Sequence, residues 1–377
     1  MRKLMARCDL PLLICTLLLM ALGVIFIASA GGGGLSEGGE TNFARRQLLW
    51  VLLGAVALLV GAMVDYRLYW ILAPVIYVVN LGLLAMVLVM GQAAHGAQRW
   101  LQVGPFPLQP SEPGKILLVL SLAALLARQE SRMRGWFWPL AALAVTVPPF
   151  LLVVRQPDLG TALVLIAQTL GMLLWAGVSL RKLVAITGGG LAGAIGGLAL
   201  HMKGWVRLPL QEYQVRRISA FINPDADPLG AGYHIIQSII AVGSGRWWGT
   251  GLFRGTQGQL QFLPARHTDF IFTVIAEETG LAGATAVLAL YCFLLYRIVM
   301  IAASAPDAYS RIVAGGLGTM FLVQMVVNVG MAMGVMPVTG LPLPFLSYGG
   351  SSLLSSCFAI GVILGIRRHA RRSRFGS

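Results

Sequence analysis

Long, mostly apolar stretches recur along the chain near 10–30, 47–64, 70–90, 112–127, 137–154, 159–178, 183–201, 269–297, 311–335 and 345–366, separated mainly by short polar gaps. A helix needs roughly 20 apolar residues to cross about 30 Å of hydrocarbon, so each stretch is read as a membrane span. The pattern predicts an all-α polytopic membrane protein: ten transmembrane helices in one integral membrane domain over 1–377. One gap is long, about 202–268, between helices 7 and 8. Within it, Ile235 to Val242 reads as an amphipathic or re-entrant piece, since irregular backbone near the bilayer must be buried in protein or face water. The first stretch has the basic start of a signal peptide at Arg2, Lys3 and Arg7, but its length and the nine stretches that follow make it a permanent span.

Composition excludes a soluble domain. Hydrophobic residues make up 57% of the 377 and charged ones 11%, against about 45–50% and about 25% in soluble proteins. The 28 Lys and Arg outnumber the 14 Asp and Glu, a net charge of +14. These cations sit in the short gaps, which is the orientation signal of a membrane protein and not the basic face of a nucleic-acid binder. One side collects Arg2, Lys3, Arg7, Arg67, Arg128, Arg132, Arg134, Arg181, Lys182, Arg297, Arg311 and the C-terminal cluster from Arg367 to Arg374. The opposite short loops hold Arg45, Arg46, Arg99 and Arg155. Both termini are therefore expected in the cytoplasm and the long loop outside. The cysteines Cys8, Cys15, Cys292 and Cys357 have neither zinc-site nor disulfide-framework spacing.

Ionisable groups within or at the rim of spans are candidate functional sites. Glu112 and Lys115 share a helix face at the outer end of the fourth span; an ion pair tying helices together and a substrate contact are equally good readings. Asp158 stands where the fifth span turns into the sixth, as a helix cap or as part of a site. Arg216 and Arg217 read as a solvated loop face or as a phosphate-binding pair. Glu277 and Glu278 read better as partners of interior groups than as chemical groups. Trp100, beside Arg99, is either an interfacial belt aromatic or a site residue. Gly31 to Gly34 suggest a flexible loop, and Gly188 to Gly190 close helix packing. Asp269 is the strongest candidate, an acid at the membrane rim beside Arg266, His267 and Thr268. A nearly uncharged cluster from Gly340 through Ser347 to Ser352 leads into the last span. The four clusters at Glu112 and Lys115, at Asp158, at Asp269 with Glu277 and Glu278, and from Gly340 to Ser352 fall toward the outer half of the bilayer. An alternating-access transporter would place its key groups near the midplane, so the distribution better suits chemistry on a lipid-linked substrate whose head lies outside.

Gly96-Ala97-Gln98-Arg99-Trp100-Leu101, Gln109-Pro110-Ser111-Glu112, Gln156-Pro157-Asp158-Leu159-Gly160-Thr161, His267-Thr268-Asp269-Phe270-Ile271-Phe272 and Ser347-Tyr348-Gly349-Gly350-Ser351 occur in the order seen in the SEDS family (shape, elongation, division and sporulation). The resemblance covers nearly the whole chain. Asp225 to Ser238, Gly255-Thr256-Gln257 and Gly340-Leu341-Pro342-Leu343-Pro344 resemble the elongation branch more than the division branch. Ala265 departs from the usual Glu, and Pro113 from a common apolar residue; Pro113 is tolerable in a first helical turn.

The resemblance implies a peptidoglycan glycosyltransferase of the bacterial cytoplasmic membrane that polymerises lipid II on its outer face. Asp269 matches the family's essential aspartate and would be the general base. It would activate the 4-hydroxyl of one N-acetylglucosamine for inverting attack on the anomeric carbon of N-acetylmuramic acid, with release of undecaprenyl pyrophosphate. Arg45, Arg46, Lys115, Arg216 and Arg217 are candidates to balance the leaving group's charge. A divalent metal, Mg²⁺ or Mn²⁺, is an alternative, with Glu112 and Asp158 as first carboxylates. Trp100, Arg99, Arg266, His267, Thr268 and Ser347 complete the expected substrate contacts. A class B penicillin-binding protein and other elongation-complex membrane proteins are the implied partners. A lipid II flippase and a non-catalytic scaffold are rival readings.

Overall fold

Each of the ten apolar stretches is helical in the computed structural model, which describes residues 9–31, 43–94, 97–104, 106–202, 204–205, 217, 219–224, 230, 232–255 and 265–374. In chain order the helices are α1 (Leu10–Ala30), α2 (Phe43–Met63), α3 (Tyr66–Ile71), α4 (Ala73–Met90), α5 (Ser111–Arg128), α6 (Phe137–Arg155), α7 (Leu159–Trp175), α8 (Leu180–Met202), α9 (Tyr233–Ser244), α10 (Ile271–Ala303), α11 (Ala308–Ala332) and α12 (Gly350–Arg374). Eight of them are long and apolar enough to cross a membrane. Of the remaining two predicted spans, α7 has 17 residues, and α5 carries Glu112, Lys115 and Arg128.

Short side-chain caps set several helix starts. Asp9 accepts the amide of Leu12, Asp158 that of Thr161 and Asp307 that of Ser310, each supplying one acceptor that the first turn lacks. Pro113 falls in the first turn of α5, where a missing N–H removes no helical bond.

The structure is mostly helical, as expected, and adds a small sheet. Three short antiparallel strands, β1 (Gln92–Ala94), β2 (Ala97–Val103) and β3 (Phe106–Leu108), form a small sheet in the order β1-β2-β3 between α4 and α5. Leu101 pairs with Leu108 and Val103 with Phe106. The expected element at Ile235 to Val242 is the helix α9, pinned by the Ser238 hydroxyl, which donates to the Ala332 carbonyl at 2.6 Å.

The core lies around α5, α7 and α11, with Leu118, Val119, Leu165, Leu173, Ile312 and Leu317 fully enclosed. Helix α12 packs along α2 through small residues. A methyl at Gly61 would fall 2.6 Å from the Phe358 carbonyl oxygen, and one at Gly361 2.2 Å from that of Leu58. Backbones meet there because neither position has a side chain. By contrast, α8 adds only Leu183 to the core among the described residues, and Gly188, Gly189 and Gly190 face open space. The packing expected of those three glycines is absent within the described residues.

Helix α10 is broken at Gly280, where φ is 67° and ψ is −167°. Another segment of the same chain repairs the break. Thr250 and Gly251 donate their amides to the carbonyls of Glu277 and Glu278, and Arg246 and Trp247 accept the amides of Leu281 and Ala282. Four backbone groups beside the break thus regain partners, which hydrocarbon surroundings require.

Gly61→Val should lower the melting temperature of the detergent-solubilised protein, by an overpacking cost of about 1–3 kcal/mol. Gly188→Ala should leave melting nearly unchanged, within about 0.5 kcal/mol. A thermal-shift series on the two variants checks the contrast.

Candidate active site

The site forms at the end of the bundle where α7 and α12 begin and where the chain turns into α10. The opposite end carries a separate set of ion pairs, Asp9 with Arg297 at 2.5 Å and Asp65 with His369 at 3.5 Å, together with Arg311–Glu130. Polar chemistry is therefore segregated to the two ends of an apolar bundle.

Asp269 sits in a turn over Ala265–Phe270 that leads into α10. Ala265 takes a left-handed φ of 55°, and its carbonyl accepts the amides of Thr268 and Asp269, both at 3.1 Å. The Thr268 hydroxyl also donates to it. The turn docks on the loop before α12. Ser347 Oγ donates to the Thr268 carbonyl at 2.6 Å and accepts the Leu343 amide at 2.7 Å, and the Tyr348 amide donates to the His267 carbonyl at 2.8 Å. Phe43 of α2 stacks on His267 at 4.3 Å and meets Tyr348 edge-on at 5.2 Å. Arg266 is buried and donates through Nε to the Ala30 carbonyl at 2.6 Å.

The Asp269 carboxyl keeps partial solvent contact beneath a deep shell of protein atoms. That burial pushes it up to about 6 from an ordinary 3.8, against the pull of Arg217 and then Arg99; Asp158 adds to the rise and Thr268 opposes it. These charges place Asp269, Arg217, Arg99 and Asp158 in one electrostatic unit. His267 is lowered by burial and by Arg266, so the imidazole next to the acid stays neutral at pH 7. Arg266 is itself lowered by burial, with Glu277 opposing. This is the kind of interior pairing expected of that glutamate.

Asp158 is both a cap and a network member. Its Oδ2 accepts Thr161 Oγ1 at 2.9 Å and Gln109 Nε2 at 3.2 Å, and its Oδ1 lies 3.9 Å from Arg99. Arg99 also holds the carbonyls of Gln156 and Pro157. The Gln109 amide donates to Ser351 Oγ at 3.0 Å, so β3, α7 and α12 meet at one polar knot. Trp100 lies on β2, half-buried. Glu112 and Lys115 form a pair at 2.9 Å with both side chains enclosed at 3% and 1% exposure. Lys115 is thus paired with Glu112 and enclosed. Arg217 donates to the Val338 carbonyl at 3.2 Å; Arg216 lies outside the described residues. Arg45 and Arg46 are exposed at the start of α2.

The two carboxylates expected first at a metal are engaged by protein groups. Asp158 commits its oxygens to protein donors, Glu112 is neutralised by Lys115, and among the described residues no three His, Cys, Asp or Glu groups are gathered.

Two participants escape a reading of charges along the sequence. Gly340, at φ 76°, approaches the acid so closely that a methyl there would lie 3.4 Å from Asp269 Oδ2. Asn328, an uncharged amide inside an apolar stretch, binds the Asp269 carbonyl at 2.8 Å. A search for polar residues of any kind within spans, and not for charges alone, finds the second.

The family model FTSW_RODA_SPOVE, described as cell cycle protein, matches residues 9–372, and the chain belongs to that family. It is 39% identical over 367 residues to the peptidoglycan glycosyltransferase MrdB of Escherichia coli (strain K12), covering 96% of this chain and 94% of that one. It is 38% identical over 371 residues to stage V sporulation protein E of Bacillus subtilis (strain 168), covering 96% and 98%. A solved chain from work on the structural coordination of polymerization and crosslinking by a peptidoglycan synthase complex superimposes with a TM-score of 0.80 at 32% identity, over 96% of this chain and 98% of that one. The protein is a multi-pass membrane protein, as its apolar helices and these relatives agree. Similarity to the sporulation member is as high as to MrdB, so overall identity does not separate the branches.

The raised Asp269 carboxyl binds its proton more tightly in the folded than in the unfolded chain. Its ionisation therefore costs stability above pH 6, and that cost fades as pH falls from 6 toward 3.8. Asp269→Asn should melt no lower than wild type at pH 7.5, and any advantage should disappear by about pH 4. Carbodiimide labelling of Asp269 followed by mass spectrometry should show a midpoint near 6.

Proposed function

We propose that the protein is a peptidoglycan glycosyltransferase that polymerises lipid II at the outer face of the bacterial cytoplasmic membrane during cell elongation. The observation that carries this reading is the placement of Asp269: a half-buried acid ahead of α10 that feels the charges of Arg217 and Arg99. All ten apolar helices span the bilayer, with both termini and the ion-paired end in the cytoplasm. The charge bias of the short loops supports that orientation.

In the reaction, the 4-hydroxyl of an acceptor N-acetylglucosamine gives its proton to the ionised Asp269 carboxylate. Its oxygen attacks the anomeric carbon of the donor N-acetylmuramic acid from the face opposite the pyrophosphate. A glycosidic bond forms, the bond to the undecaprenyl pyrophosphate oxygen breaks with inversion, and the pyrophosphate leaves with the bonding pair. A base of this kind contributes about 10²–10⁴-fold. A carboxyl pushed up to about 6 suits the task, since it is mostly ionised at neutral pH and more basic than an ordinary aspartate. Arg217, Arg99, Arg45 and Arg46 supply positive charge for the departing pyrophosphate. No step passes through a metal. A class B penicillin-binding protein cross-links the product; the similarity to a chain from a peptidoglycan synthase complex supports such a partner.

Purified protein with its transpeptidase partner should convert lipid II to glycan polymer, and Asp269→Asn should bind lipid II and lose polymer by at least about 10²-fold. The wild-type rate should fall about tenfold per pH unit below 6. Equal polymer from a folded Asp269→Asn variant removes the base and favours a transport or scaffolding role.

A further inference from the structure

Asn328 lies toward the end of α11 and is completely buried, at 0% exposure. Its Nδ2 donates to two backbone carbonyls, that of Asp269 at 2.8 Å and that of Leu341 at 2.7 Å. Both neighbours accept only, so the atom facing them has to be the amino nitrogen, and the orientation of the amide is settled by chemistry. Its Oδ1 is buried with no donor. A half-satisfied amide in an apolar core is costly, and the two donated bonds offset that cost.

No other side chain of this size offers the same contact. Leucine matches the shape and has no donor. Aspartate would set a negative oxygen against two carbonyl oxygens and add charge beside Asp269. Glutamine moves the amino group outward by a methylene. The paired donation clamps the turn bearing Asp269 to the loop bearing Gly340, and Gly340 is the residue whose added methyl would lie 3.4 Å from Asp269 Oδ2.

We propose that Asn328 is a positioning residue for Asp269: by bridging the Asp269 and Leu341 carbonyls it fixes where the carboxyl stands relative to the Gly340 wall, and so the direction from which an acceptor hydroxyl meets the base. The kinetic side of this assignment rests on the glycosyl-transfer reading; the structural side does not. Because the amide touches main chain and no reacting atom, its loss acts on the rate and leaves lipid II binding in place.

The test compares wild type, Asn328→Leu and Asn328→Ser as full chains with the transpeptidase partner. Three quantities are read: lipid II affinity, single-turnover rate at saturating lipid II, and the pH midpoint of carbodiimide labelling at Asp269. A displacement of about 1 Å costs on the order of 10²-fold in rate. The expected result for Asn328→Leu is a loss of that size with affinity held within about threefold, together with a labelling midpoint moved from its wild-type value. Asn328→Ser, which retains one donor, should fall between. A folded Asn328→Leu with wild-type rate and midpoint overturns the proposal. So does a parallel loss of rate and affinity, which marks a substrate contact. Should the leucine variant fail to fold, the serine variant decides by the same readings. If wild type makes no polymer, the function reading fails, and the labelling midpoint alone still decides on Asn328: an unchanged midpoint overturns it.

Discussion

Hydrocarbon offers no hydrogen bonds, so wherever a spanning segment leaves helical geometry another part of the protein has to complete its backbone. The end of the molecule that carries Asp269 is organised by that constraint. Helix α10 breaks at Gly280, and residues 246–251 lend the donors and acceptors that the break exposes. Ahead of α10 the chain coils into the Ala265–Phe270 turn, whose carbonyls are met by Ser347, Tyr348 and Asn328. Irregular backbone is what allows an aspartate to be presented at a fixed point. A continuous helix would have directed the same residue according to its period alone.

The repair has an electrostatic counterpart. The acids and bases at the site's end of the bundle are not dispersed: Lys115 is matched by Glu112, Asp158 by Arg99 and neutral donors, and Arg266 reaches the Ala30 carbonyl. Among the described residues, no ion pair as close as these is found at Asp269, which takes a hydrogen bond from Thr268. It feels Arg217 and Arg99 at longer range while desolvation raises its proton affinity. The cations keep the carboxyl ionised near neutrality, and the burial keeps it basic. This balance is the physical content of the proposed general-base role.

Hydropathy exposes most of the architecture because ten apolar stretches are long enough to register and the bilayer admits few alternatives to helices. The sheet of Gln92–Leu108 escapes it, since two of its strands have only three residues and one contains Pro107. The break at Gly280 escapes as well, because hydropathy carries no information about φ. The glycines at 188–190 mislead for the opposite reason: small residues permit close packing without enforcing it, and here they meet nothing within the chain. At the site, Asp269 was legible as an acid at a membrane rim and through the family's motif. Glu112 and Lys115 were legible as a pair, with their enclosure hidden. Asn328 stayed silent, because what matters is the carbonyls it binds, and Gly340 was legible as part of a motif but not as a neighbour of Asp269.

The central claim, that Asp269 acts as a base whose proton affinity is set by desolvation against nearby cations, is tested most directly by the pH dependence of single-turnover glycosyl transfer in wild type and Arg217→Gln. Arg217 holds the carboxyl down, so an acidic limb near 6 is expected in wild type and moves to higher pH in the variant, on an alkaline plateau lowered by the loss of a cation that faces the leaving pyrophosphate. Superimposable profiles, or a wild-type rate indifferent to pH between 5 and 8, would contradict it.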